Sequence, residues 1–238
     1  MEIYHRHKLP PGGKMKELIF EFLMMFLAIT GGFFMENMRE EYIERHKEMG
    51  YIESMVKNIK QDTISVQEII TTCEKQIKGI DSLITVLNSP VAKIDYRQMY
   101  HLTMKNMNTL ISFEPNQITM IQLKNSGGLR LIENKSVSDS IVNYYSTYDS
   151  HFEQQKYTMG FLQETINMEI IAMDFNILRG PKPIFSFDQS KLKEFGNRTM
   201  LFQSLLGNEV LWLKKYQKTS INLLKYLKKE YKLETRTN

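Results

Sequence analysis

From Leu18 to Met35 the chain runs LIFEFLMMFLAITGGFFM, apolar throughout except for one carboxylate, Glu21. No other stretch restricts the fold as strongly. As a helix rising about 1.5 Å per residue it is roughly 27 Å long, close to the hydrocarbon thickness of a bilayer. A core helix of a soluble domain would show a polar face, and this run has none apart from Glu21. A signal peptide would have a shorter core followed by a small-x-small cleavage site. Met35-Glu36-Asn37-Met38 offers no such site, and Ala28-Ile29-Thr30 is a poor one placed inside the core. The segment reads as a membrane anchor, with signal peptide and buried helix as the alternatives.

The flanking charges suggest an orientation. Arg6, Lys8, Lys14 and Lys16 precede the segment, whereas Arg39, Arg45 and Lys47 follow it among Glu36, Glu40, Glu41, Glu44 and Glu48. Counting Lys and Arg alone, the bias is slight and favours a cytoplasmic N-terminus. The expected division is a cytoplasmic tail over 1–16, a membrane helix over 17–38 and an extracytoplasmic domain over 39–238. Within the membrane helix Glu21, Met25, Ala28 and Gly32 share one face. Ala28 and Gly32 form a small-x-x-x-small pair that admits a close helix neighbour. Two readings of Glu21 stand side by side. It reaches the headgroups or pairs with Lys14 or Lys16, or it belongs to a packing face as a hydrogen-bonding or proton-carrying group.

The rest of the 238-residue chain is enough for one domain or two small ones. Ile52, Val56, Ile59, Thr63, Val66, Ile70, Cys73, Ile77, Ile80, Ile84 and Leu87 recur at three- and four-residue steps, predicting a long helix that ends at Asn88-Ser89-Pro90. Shorter helices are expected from Asp95 to about Leu110, closed by Phe113-Glu114-Pro115, and from Gln117 to Lys124. Gly127 and Gly128 follow as a structural turn, supplying the positive φ that reverses the chain. Ser136, with Asp139 as a weak capping-box partner, opens a second long helix reaching Ile177 and ended by Gly180-Pro181-Lys182-Pro183. A third begins near Leu192 or Gly196, with a stripe from Phe202 to Tyr231. Strand patterns are essentially absent. Long helices with one apolar face each bury it only against one another or against a partner chain. The expected fold is all-α: an N-terminal transmembrane helix continuing into a long-helix antiparallel bundle.

Chemical motifs are missing. There is no phosphate-cradling loop, no His-Glu-x-x-His, no Cys pair and no nucleophile elbow, so no catalytic residue and no cofactor are assigned. His5 and His7 lie in the N-terminal tail and His46, His101 and His151 stand isolated, which argues against a metal. The single cysteine, Cys73, falls on an apolar stripe and reads as a buried structural thiol. Net charge is +4, with Lys and Arg spread among acids. The basic stretch Lys214–Lys232 interleaves lysine with Leu and Tyr, which describes a solvated helix face and not a nucleic-acid site.

Glu21, Asn37 and Glu40, together with Gln122-Leu123-Lys124-Asn125-Ser126-Gly127-Gly128 and Ile141-Val142-Asn143-Tyr144-Tyr145, carry a resemblance. The chain resembles a family of uncharacterised single-pass inner-membrane proteins of Bacteroidota, domain of unknown function 6090. Met38 stands where that family has a tryptophan, and Phe34 where it has a polar residue. The resemblance implies an inner-membrane anchor and a periplasmic all-helical domain, and it implies no activity. Two functional classes follow from the residues. One is a scaffold or accessory subunit of an envelope assembly, partnered by the bilayer and by a second copy or another membrane protein. The other is a proton-coupled or signal-sensing membrane subunit using Glu21.

Overall fold

The computed structural model describes residues 11–172 and 189–233. The protein is all-α, with α1 (Pro11–Leu87), α2 (Tyr96–Asn106), α3 (Ile118–Asn125), α4 (Lys135–Ala172) and α5 (Gln189–Glu230). Short 3-10 turns cover Val91–Lys93 and Gly128–Leu131, and no strand occurs among the described residues. The chain forms two compact units, Met1–Gly50 and Tyr51–Asn238, and α1 contributes to both. The expected tail residues His5, His7, Arg6 and Lys8 lie outside the described residues, as do Ile177 and the Gly180–Pro183 terminator.

In the first unit every large apolar side chain from Leu18 to Met38 is exposed. This is the one helix among the described residues long and apolar enough to cross a membrane. Beyond it the charges close on themselves within the helix. Arg39 pairs with Glu36 at 2.6 Å and Arg45 with Glu41 at 2.7 Å, exposed contacts that stabilise the helix little.

The second unit is an antiparallel bundle of α1, α4 and α5. Directions follow from side-chain contacts. Gln217 reaches Gln67 and Gln203 reaches Asp81, so α5 runs against α1. Asn134 meets Glu230 and His151 meets Glu209, so it also runs against α4. Ile52, Ile59, Val66, Ile70, Cys73 and Ile80 are buried along α1, as their spacing predicts, together with Met55 and Leu83. Burying each such side chain contributes about 1.5–3 kcal/mol before the entropy of ordering.

Several boundaries differ from the sequence expectation, each for a local reason. The cap of α4 is Asn134 and not Ser136: the Asn134 Oδ1 accepts from the backbone N–H groups of Ser136 and Val137 at 3.0 and 3.3 Å. Asp95 caps α2 in the same way, accepting from Arg97 and Gln98. That helix ends at Asn106, short of Leu110, because the Gln76 amide on α1 donates to the Asn106 and Thr109 carbonyls at 2.8 and 2.7 Å. A side chain thus satisfies groups that another helical turn would have used. The described start of α5, Gln189, precedes the expected start near Leu192 or Gly196, since Leu192, Phe195 and Thr199 continue the buried stripe below Phe202.

The glycine pair does two different things. Gly127 takes φ +66°, the left-handed region that costs an L side chain, and starts the 3-10 turn after α3. Gly128 has no such φ. It is buried, and a Cβ there would press on the Leu123 side chain at 2.9 Å.

Candidate functional site

The residues singled out on the membrane face, Glu21, Ala28 and Gly32, are exposed on α1, and nothing approaches a Cβ built at Gly32. No intrachain partner for that face occurs among the described residues. The polar groups that the fold does bring together lie inside the second unit, on positions where an apolar stripe is interrupted.

Asp62 is the first. It sits three residues after Ile59 and four before Val66, the register of the α1 core, and it is buried. Its Oδ1 accepts from the Asn116 backbone N–H at 2.9 Å and its Oδ2 from the Tyr144 hydroxyl at 2.9 Å. The Tyr145 hydroxyl donates to the Asn116 carbonyl at 3.2 Å. Asp62 therefore ties α1 to α4 and to the irregular segment ahead of α3. Burial raises its pKa, and the two donated hydrogen bonds oppose that rise. Burial also pushes the hydroxyls of Tyr144, Tyr145 and Tyr216 far up, so they remain neutral.

The second group joins α4 to α5. His151 Nε2 lies 2.7 Å from Glu209 Oε2, with both side chains buried. Gln155 donates to the other Glu209 oxygen at 2.8 Å. The Trp212 indole stacks on the His151 ring at a centroid distance of 3.6 Å, nearly coplanar. From Trp212 the rings continue through Tyr216 to Tyr144 at 4.9 Å per step, so an aromatic path connects this group with Asp62. Isolated in the sequence, His151 is anything but isolated in the fold.

Glu169, also on α4, is the third. It is 1% exposed and neither carboxylate oxygen has a hydrogen-bond partner among the described residues. Burial alone raises its pKa to about 8.

This arrangement can hold and release protons. The chain's one cysteine sulfur, Cys73, is unsuited to attack: burial raises its pKa to about 11, keeping the thiol protonated. No group of His, Cys, Asp and Glu able to hold a metal occurs among the described residues. Periodicity assigns Thr63 to the α1 stripe and passes over Asp62. The available signal was a charge at core register, and Asp62, Glu169 and Glu209 each carry it. Comparison with family models, curated proteins and solved structures found no match for this chain.

Proposed function

We propose that this protein is a single-pass, membrane-anchored sensing subunit, in which the protonation state of buried carboxylates sets the packing of the helical bundle. The observation that carries this reading is Asp62. It is a buried carboxylate on α1, the same helix that holds the membrane-length apolar segment. Keeping such a group charged costs several kcal/mol of desolvation, so its protonation is coupled to the packing around it. A bistable element gains a control point.

In this reading residues 17–38 span a bacterial inner membrane, the N-terminus is cytoplasmic and the bundle is periplasmic. The likeness to the Bacteroidota family of domain of unknown function 6090 supports that placement. Glu21 is the ionisable group at membrane depth that would meet a partner helix along the Ala28 and Gly32 face. A scaffold or accessory subunit without catalysis of its own is the second reading. The exposed apolar surface from Leu18 to Met38 is accounted for equally by this reading, because that surface serves an anchor whether or not the bundle senses anything.

The test is hydrogen exchange on the full chain in mild detergent, with every co-extracted chain identified. Sensing predicts that exchange along 51–87 changes between pH 8 and pH 5 and that Asp62→Asn suppresses the change. Exchange that is indifferent to pH in the wild-type protein refutes sensing and leaves the scaffold. Glu21→Gln should leave insertion and assembly intact while removing any pH-dependent change in the co-extracted partner.

A further inference from the structure

A cleft of about 630 Å³ lies between α1 and α2, within the second unit and apart from the buried groups described above. Its size is that of a small-molecule site. What distinguishes it is the sorting of charge on α1. The acids of this stretch are engaged by α5: Glu74 pairs with Lys214 at 2.7 Å, and Asp81 accepts from Gln203 at 2.6 Å. The lysines fall on the cleft instead. Lys75 and Lys78 line it from α1 and Lys105 from α2, and no acidic residue lines it. None of the three has a carboxylate partner among the described residues.

The walls are built and not incidental. Gln76 crosses the cleft floor and fixes the end of α2 through the Asn106 and Thr109 carbonyls. Asn106 lines the cleft while 4% exposed, its amide donating to the Leu102 carbonyl at 2.7 Å. At Gly79 a Cβ would overlap the Asn106 amide, so α2 approaches α1 only because residue 79 has no side chain. Leu102 and Ile111 give the remainder an apolar lining.

We propose that this cleft binds a small soluble polyanion, a compound bearing two or more phosphate or carboxylate groups and an apolar portion that rests on Leu102 and Ile111. Three lysines contributed by two helices, with Glu74 and Asp81 engaged by α5 and no carboxylate in the lining, match such a ligand by charge. The site stands on its own geometry, whether or not the bundle acts as a sensor.

The experiment is isothermal titration calorimetry on the full chain in a non-ionic detergent, with inorganic pyrophosphate and citrate as probes at physiological ionic strength. One saturable site is expected for at least one probe. The triple variant Lys75→Gln, Lys78→Gln, Lys105→Gln should weaken it about tenfold or more. A control with the same change in net charge, Lys225→Gln, Lys228→Gln, Lys229→Gln on α5, should leave it within about twofold. Equal weakening in both variants would mean diffuse attraction to a basic protein and would overturn the site. Absence of saturable binding by both probes would overturn it as well.

Discussion

Replacing Glu169 by Gln should flatten the dependence of stability on pH. The folded chain raises this carboxyl from 4.5 to about 8, by burial alone. The fold therefore favours the neutral acid and holds a proton that the unfolded chain has released. The associated stability is fully present below about pH 4.5 and is lost as pH rises through about 8, the reverse of the behaviour of a salt-bridged carboxylate. The full shift corresponds to roughly 5 kcal/mol at high pH, of which about 3.5 kcal/mol falls between pH 5 and pH 8. Those figures are ceilings, since water entering beside the ionised group would lower them. Trp212 is the sole tryptophan and packs between α4 and α5, so its fluorescence reports unfolding of this region directly. Urea titrations of the full chain in detergent should show the wild-type midpoint falling from pH 5 to pH 8. The Glu169→Gln protein should lose most of that fall, and the difference between the two slopes isolates residue 169 from Asp62. Parallel slopes in the two proteins, or a wild-type midpoint that rises with pH, would refute the reasoning.

Three other substitutions probe separate parts of the fold. Asp62→Ala strands the Asn116 N–H and the Tyr144 hydroxyl and should cost about 2–4 kcal/mol in urea unfolding, whereas Tyr144→Phe, which leaves one hydrogen bond to Asp62, should cost about half as much. Gly79→Leu would drive a side chain into the Asn106 amide; it should destabilise by about 1–3 kcal/mol and increase hydrogen exchange across 96–106. Gly127→Ala places a Cβ at φ +66° and should lower stability by about 1–2 kcal/mol, whereas Gly127→Asn should recover part of the loss, a contrast that thermal melts would resolve.

Hydrophobic spacing carried the long helices well. In α1 the three- and four-residue recurrence from Ile52 to Ile80 falls on buried side chains, apart from the half-buried Val56, Thr63 and Ile77, and Asn88-Ser89-Pro90 follows directly after the last helical residue, Leu87. The ends governed by tertiary contacts were not legible. Nothing local to Asn106 says that Gln76, thirty positions earlier, will take its carbonyl. Asn134 and Ser136 are both competent caps, and the choice depends on where the chain leaves the 3-10 turn after Gly127. The buried polar groups were hidden for a related reason. A periodicity argument tolerates an occasional charge on an apolar stripe by sliding to the next residue, and so Thr63 stood in for Asp62. The conflict becomes visible only when Asp62, Glu169 and Glu209 are taken together: each occupies a core position on a different one of the three helices, each is nearly free of solvent, and only two of them have partners among the described residues.

That asymmetry bears on which reading of the protein is physically economical. Asp62 and Glu209 fix helix neighbours through hydrogen bonds and would be retained by a bundle that only needs a unique packing. Glu169 fixes no helix neighbour, since neither of its oxygens has a partner among the described residues. A Leu or Met at that position would remove its desolvation cost and add apolar burial to the stripe already formed by Leu162 and Thr165. A bundle selected for stability alone therefore gains by losing Glu169, while one that loosens as its surroundings become alkaline needs such a group. The prediction follows that Glu169→Leu stabilises the bundle above pH 7 and suppresses its response to pH. Stabilisation without any change in that response would mean that residue 169 is a tolerated defect and that the control point lies at Asp62.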